Sequence, residues 1–291
     1  MKILFIAKAD LPDYQSDMVF HGGRSLFGAD FVDANRMWYM YKEERVKYWN
    51  QRVPNGGNSY GRGMTLHGKL EDIPVDRSNI EQKIKDKYFD YVIYGSIERC
   101  HDHIQLVSSV YPKNRILIVN GEDHTAVKPN LMNYGVVFKR ELVSEETEWL
   151  HPINFCIPEE LVVAAVPEKT QDWATVIPGR METYVFFEEE PYYKDYQKSY
   201  FGLTHKKGGW DCLRHYEILM NGCIPYFPDL KNCPENTMKL FPKSVILESN
   251  TKIEQGAIET EWYNNTVTML LDYTKKCLTT KALVNKMLEK L

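Results

Sequence analysis

Short unbroken apolar runs, separated by stretches of helical periodicity, constrain this chain most. The runs at 2–7, 88–94 and 115–119 lack polar alternation. Strands of that kind sit in a parallel sheet covered on both faces. Between them lie helical patterns. In 14–27, Met18, Val19, Phe20, Leu26 and Phe27 fall at helical spacing, and Gly28 is placed to cap the end. Further helices are expected over 37–48, 80–87 and 100–110, with short strands at 31–34, 136–139 and 153–157. Five glycines, one Pro and two Asn mark 52–63 as a loop. Strands alternating with helices imply right-handed βαβ units and an α/β fold.

Residues 157–172 break the pattern with Pro158, Pro167 and several charges, which sets a domain boundary there. The second half resumes with strands expected at 173–177, 200–204, 223–227 and 245–247. Helices are expected at 190–199 and 210–221, with a long, broken one over 257–289. Two domains, 1–160 and 161–291, agree with a length of 291 residues, and the C-terminal helix is able to cross back onto the first. Each domain reads as a Rossmann-like, doubly wound sheet. Two such sheets would face a cleft beyond the carboxyl ends of their strands, where ligands bind in this class.

Composition excludes several functions. With 36 basic and 40 acidic residues, the net charge is −4. That balance gives no footprint for nucleic acid or an anionic membrane. No apolar run reaches the length of a membrane-spanning helix. The apolar stretch at the N-terminus is too short for a signal-peptide core and meets Lys8 and Asp10 at once. Six scattered cysteines form no metal-binding spacing and read as buried free thiols in a reducing compartment. These features point to the cytoplasm. The 19 Tyr, 12 Phe and 6 Trp suit core packing first, and sugar or base stacking second.

The most informative stretch runs from Ser199 to Pro225. A strand ends near Thr204. Lys206, Lys207, Gly208 and Gly209 form a loop, and a helix opens at Trp210–Asp211 with Asp211 as the expected N-cap. A helix N-terminus beside glycines and lysines suits a diphosphate. Arg214 and Glu217 lie three apart and share a helix face. The first can fork onto phosphate oxygens and the second can accept both hydroxyls of a ribose.

The spacing of Ser199, Phe201, Leu203, Gly208, Arg214, Glu217 and Gly222–Pro225 resembles the C-terminal signature of exostosin-type glycosyltransferases. More loosely, it is similar to the nucleotide-sugar sites of the GT-B class. Cys212 and His205 depart from the Ser and Pro usual in that family, and Glu217 stands where Asp is frequent. The resemblance implies a GT-B architecture and transfer of a sugar from a nucleotide-diphosphate donor, a UDP-sugar being slightly favoured, to a glycan or glycoprotein acceptor, with inversion. It also implies a donor held by the second domain. Without a membrane anchor, a microbial or viral relative is expected.

Inversion needs a base to take the acceptor proton. Glu122 or Asp123, directly after the strand at 115–119, is the first choice, with Asp17 or His21 after the first strand as alternatives. Arg180 is a further diphosphate candidate. Gly22–Gly23 resembles a phosphate-binding glycine pair but falls inside a helix. His101 and His103 at i,i+2 point apart on a helix, so no metal site is expected. Arg, Lys and the helix dipole would then neutralise the donor without an obligatory metal or cofactor. Two other readings stand beside this one. A non-catalytic module would bind nucleotide or glycan without turnover. A sugar-nucleotide epimerase of the same architecture would act on the donor alone.

Overall fold

The computed structural model describes residues 1–10, 12–44 and 65–291. The loop expected at 52–63 lies outside the described residues.

The first half builds a six-stranded sheet. In chain order its elements are β1 (Ile3–Ile6), α1 (Tyr14–Phe27), β2 (Phe31–Asp33), α2 (Ile80–Lys85), β3 (Tyr91–Tyr94), α3 (Ile104–Val110), β4 (Ile116–Asn120), β5 (Val136–Lys139) and β6 (Leu150–Pro152). The strand order is β2-β1-β3-β4-β5-β6, with every neighbouring pair parallel. Alternate residues of one strand feed opposite faces. Ile3 and Phe5 join one core cluster, Leu4 and Ile6 the other. Both faces are covered, which is why these strands read as unbroken apolar runs.

The second half carries β7 (Gln171–Trp173), α4 (Glu189–Lys198), β8 (Ser199–Leu203), α5 (Leu213–Met220), β9 (Ile224–Tyr226), α6 (Lys243–Gln255), α7 (Thr260–Cys277) and α8 (Thr280–Leu288). Its three strands pair in the order β7-β8-β9, again parallel. Phe201, Tyr216, Ile218 and Tyr263 of this half belong to the same continuous apolar cluster as Ile3 and Phe5 of the first.

Helix α1 has the expected bounds. The Asp13 carboxylate accepts from the Ser16 amide at 3.2 Å, and Gly28 closes the helix with φ 55°. Its glycines are packing glycines. A methyl on Gly22 would collide with the Thr280 carbonyl at the start of α8, and one on Gly23 with the Phe31 ring. The pair therefore lets α8 and β2 approach α1 and offers nothing to a phosphate.

Four expected elements differ, one of them the strand expected at 173–177, which forms earlier as β7. The helix expected over 37–48 is, among the described residues, two short 3-10 turns. Met37, Tyr39, Met40 and Tyr41 are all buried, a run too broad for the single apolar stripe of a surface helix. The strand expected at 153–157 forms earlier, as β6, where Leu150 pairs with Val137. The strand expected at 245–247 is a turn of α6, with Ile246 facing the core. The long C-terminal helix is broken, as expected, at Leu278–Thr279, where the Thr279 hydroxyl accepts from the Ala282 amide and starts α8.

Candidate active site

Strand β8 delivers the chain to the loop 204–212, and α5 returns it to β9. The position before α5 is Cys212, which makes no side-chain cap, so Asp211 is not the N-cap. Its carboxylate turns inward instead, accepting from the Phe155 amide at 2.7 Å and the Tyr216 hydroxyl at 2.8 Å. Burial pushes that carboxyl up to about 7, against the pull of the Arg140 charge.

Arg214 and Glu217 lie on one face of α5, and both are almost wholly buried, at 3% and 2% exposure. Arg214 donates to the Tyr184 hydroxyl at 2.8 Å. Each oxygen of Glu217 accepts one hydroxyl, Oε1 from Thr65 and Oε2 from Tyr192, the latter at 2.6 Å. Burial pushes the Glu217 carboxyl up, while those two hydroxyls and Arg214 work against the shift. The carboxylate thus grips a pair of hydroxyl groups, both from the protein itself.

A cleft of about 410 Å³ opens here, lined by Asp123 and Tyr14 from the first half and by Lys207, Gly208, Gly209, Asp211, Arg214 and Glu217 from the second. No family model matches this chain, and no curated protein matches it. Among solved structures, the crystal structure of Acinetobacter baumannii MurG aligns over 99% of this chain and 98% of that chain, at 11% identity and a TM-score of 0.37. At that TM-score the likeness decides neither fold nor function. What the site can do rests on its own residues.

Several candidates converge on the cleft and others do not. Asp123 reaches it, 62% exposed at its side chain and paired with Arg140. Glu122 is not among the residues lining the cleft and is held by Arg99 through contacts of 2.7 and 3.2 Å. Asp17 is fully buried and accepts from the Tyr39 hydroxyl at 2.6 Å, and desolvation pushes its carboxyl up. His21 lies between Thr280 (2.9 Å) and Glu160 (3.0 Å), fastening α1 to the second half. Lys206 stands over the Trp210 ring at 5.0 Å, beside the cleft. Arg180 is exposed on the turn before Met181 and Tyr184, which line the rim. Tyr192, Tyr193 and Tyr196 are buried, so these rings belong to the core, with only the Tyr192 hydroxyl reaching Glu217.

The sequence reading missed Thr65, Tyr184 and the bond from the Tyr192 hydroxyl to Glu217, and above all Lys139, Arg140 and Glu141 at the end of β5. Lys139 is completely buried; its ammonium donates to Asn120 Oδ1 at 3.1 Å and to the Glu122 carbonyl at 3.0 Å. Burial, with the Arg140 charge beside it, pushes Lys139 down to about 8. Arg140 donates to the Gly121 carbonyl (2.8 Å), the Asp211 carbonyl (2.6 Å) and Asp123, and meets Glu141 at 3.2 Å. Glu141 accepts from the Trp210 and Asp211 amides at 3.0 Å each. One signal for these residues was present: Lys139 closes a strand and Arg140 and Glu141 directly follow it, at the carboxyl end where sites form in this class.

His215 fixes the other side of the loop. It is fully buried, with Nε2 2.9 Å from the Trp210 carbonyl and Nδ1 2.8 Å from the Thr204 hydroxyl. A carbonyl can only accept, so Nε2 carries the proton and Nδ1 accepts from Thr204. Burial pushes the ring down to about 3. The unfolded ring takes a proton near pH 6.5 and the folded one only near pH 3, so the unfolded state binds more protons in between. Stability from the neutral ring is therefore full above pH 6.5 and is lost as pH falls toward 3. Urea unfolding across that range should show the wild-type advantage over His215→Gln shrinking by a few kcal/mol. An advantage independent of pH would contradict the assignment.

Proposed function

We propose that this chain is a glycosyltransferase of the GT-B type, related to the exostosin-like enzymes. It moves a sugar from a nucleotide-diphosphate donor to a glycan acceptor with inversion. The observation that carries this reading is the pairing of Arg214 and Glu217. Both are buried on one face of α5, and with Lys207 they line a cleft that Asp123 enters from the other sheet. Arg214 and Lys207 meet the diphosphate, Lys206 and Arg180 add positive charge at its approach, and Glu217 takes the ribose hydroxyls. Asp123 is the group best placed to receive the acceptor proton, being exposed and in the cleft. In this reading 1–160 carry the acceptor and 161–291 the donor. Six free cysteines agree with a reducing compartment, and no helix among the described residues is long and apolar enough to cross a membrane.

A thermal-shift screen against UDP-, GDP-, ADP- and dTDP-sugars tests the proposal. A ligand held only by the native state stabilises it by about 2.7 kcal/mol at a hundredfold excess over Kd. One donor class should therefore raise Tm by several degrees. No shift with any nucleotide would overturn the reading.

A further inference from the structure

The loop that opens α5 already holds an anion. The Trp210 amide donates to Glu141 Oε2 and the Asp211 amide to Oε1, both at 3.0 Å. Two successive amides on the two oxygens of one acid is the arrangement such a nest offers a phosphate. Here the acid belongs to the protein. Glu141 is 1% exposed, comes from the end of β5 in the other sheet, and has Arg140 Nη1 3.2 Å from Oε1. The seat is shaped around it: a methyl on Gly209 would collide with Oε1, and one on Gly208 with the Asp123 carboxylate.

We propose that Glu141 is the resident anion of this loop, a positioning residue whose carboxylate seats Trp210 and Asp211, so that a donor diphosphate is met by the Arg214 and Lys207 side chains and not by those amides. Two anions cannot share the same two donors, because the like charges would repel at contact distance. The phosphate is thereby directed to the cations that line the cleft. Seating the loop in advance also removes its ordering cost from donor binding. The positioning role is independent of the reaction, whereas the routing of the diphosphate rests on the glycosyltransferase reading.

Chemical rescue tests both parts. In Glu141→Ala the seat is empty, and tens of millimolar sodium acetate, compared with chloride at equal ionic strength, should raise its Tm by several degrees. The wild type and Arg214→Ala should not respond. Isothermal titration with UDP should show affinity weakened by about tenfold in Glu141→Ala and partly restored by acetate. In Arg214→Ala the loss should persist with acetate. Glu141→Gln, which keeps the shape and one acceptor oxygen, serves if the alanine variant does not fold, and it too should bind UDP more weakly than the wild type. Absence of an acetate response in Glu141→Ala, or UDP affinity in either variant above that of the wild type, would overturn the proposal. If the wild type binds no nucleotide, the glycosyltransferase reading falls, and the acetate response still decides the role of Glu141.

Discussion

Replacing Arg140 with alanine should lower the unfolding free energy by roughly 3–5 kcal/mol, the cost of removing one partner from a buried charge network. Its side chain is 2% exposed and ties four groups together: the Gly121 carbonyl after β4, Asp123, Glu141 and the Asp211 carbonyl before α5. Two of these lie on the opposite sides of the cleft. Without the guanidinium, the buried Glu141 carboxylate keeps its two amide donors but loses its counter-charge, and the Asp211 carbonyl is left in a site that water barely reaches. Burial already opposes the charge on Asp211, and that opposition grows when Arg140 is gone. Urea denaturation of the variant gives the measurement. Lys281→Ala is the control, because its pair with Glu159 leaves both side chains about half exposed, at 41% and 51%. Such a pair contributes about 0–1 kcal/mol. Equal losses in the two variants would show that Arg140 does not clasp the loop.

What the sequence disclosed and what it hid follow from the range of the interactions. β1, β4, β5 and α1 were legible because their signals are local: unbroken apolar runs, a 3.6-residue period, and a glycine at the helix end. Arg214 and Glu217 were legible because three positions on a helix bring two side chains to one face. The Glu141 clasp was not. It joins residues 69 and 70 positions apart, and Lys139-Arg140-Glu141 reads in sequence as an ordinary charged end to a strand. The same holds for Thr65, which meets Glu217 across 152 positions. Burial of Asp17 and His21 was hidden for a related reason. A carboxylate and an imidazole after a first strand look poised for chemistry until the packing of α1 on α8 and the Tyr39 hydroxyl account for them. At 245–247, Val-Ile-Leu carries β propensity, and the packing of Ile246 in the core overrides it.

The largest functional effect is expected at Arg214 and Glu217. On the proposed reading, Arg214→Lys keeps one positive charge and loses the planar fork that would grip the donor's phosphate oxygens, so kcat/KM for the donor should fall by about 10²–10³. Glu217 provides a finer discriminator. A carboxylate that takes both ribose hydroxyls should prefer a ribonucleotide donor over its 2′-deoxy counterpart. A hydrogen bond to a charged group contributes about 1.5–3 kcal/mol, a preference of roughly ten- to a hundredfold. In Glu217→Gln the amide nitrogen cannot accept, and that preference should collapse to a few fold while the deoxy donor loses less. The side chain keeps its size, so one of Thr65 and Tyr192 still donates to its remaining oxygen while the other hydroxyl turns to accept from the new amide, which keeps the packing and directs the loss to the ligand. The ratio of kcat/KM for the two donors, taken in wild type and variant, is the deciding number, because a general weakening of the fold would lower both values and leave their ratio unchanged. An unchanged ratio in Glu217→Gln would place the ribose elsewhere in the cleft, even if Arg214→Lys behaved as expected.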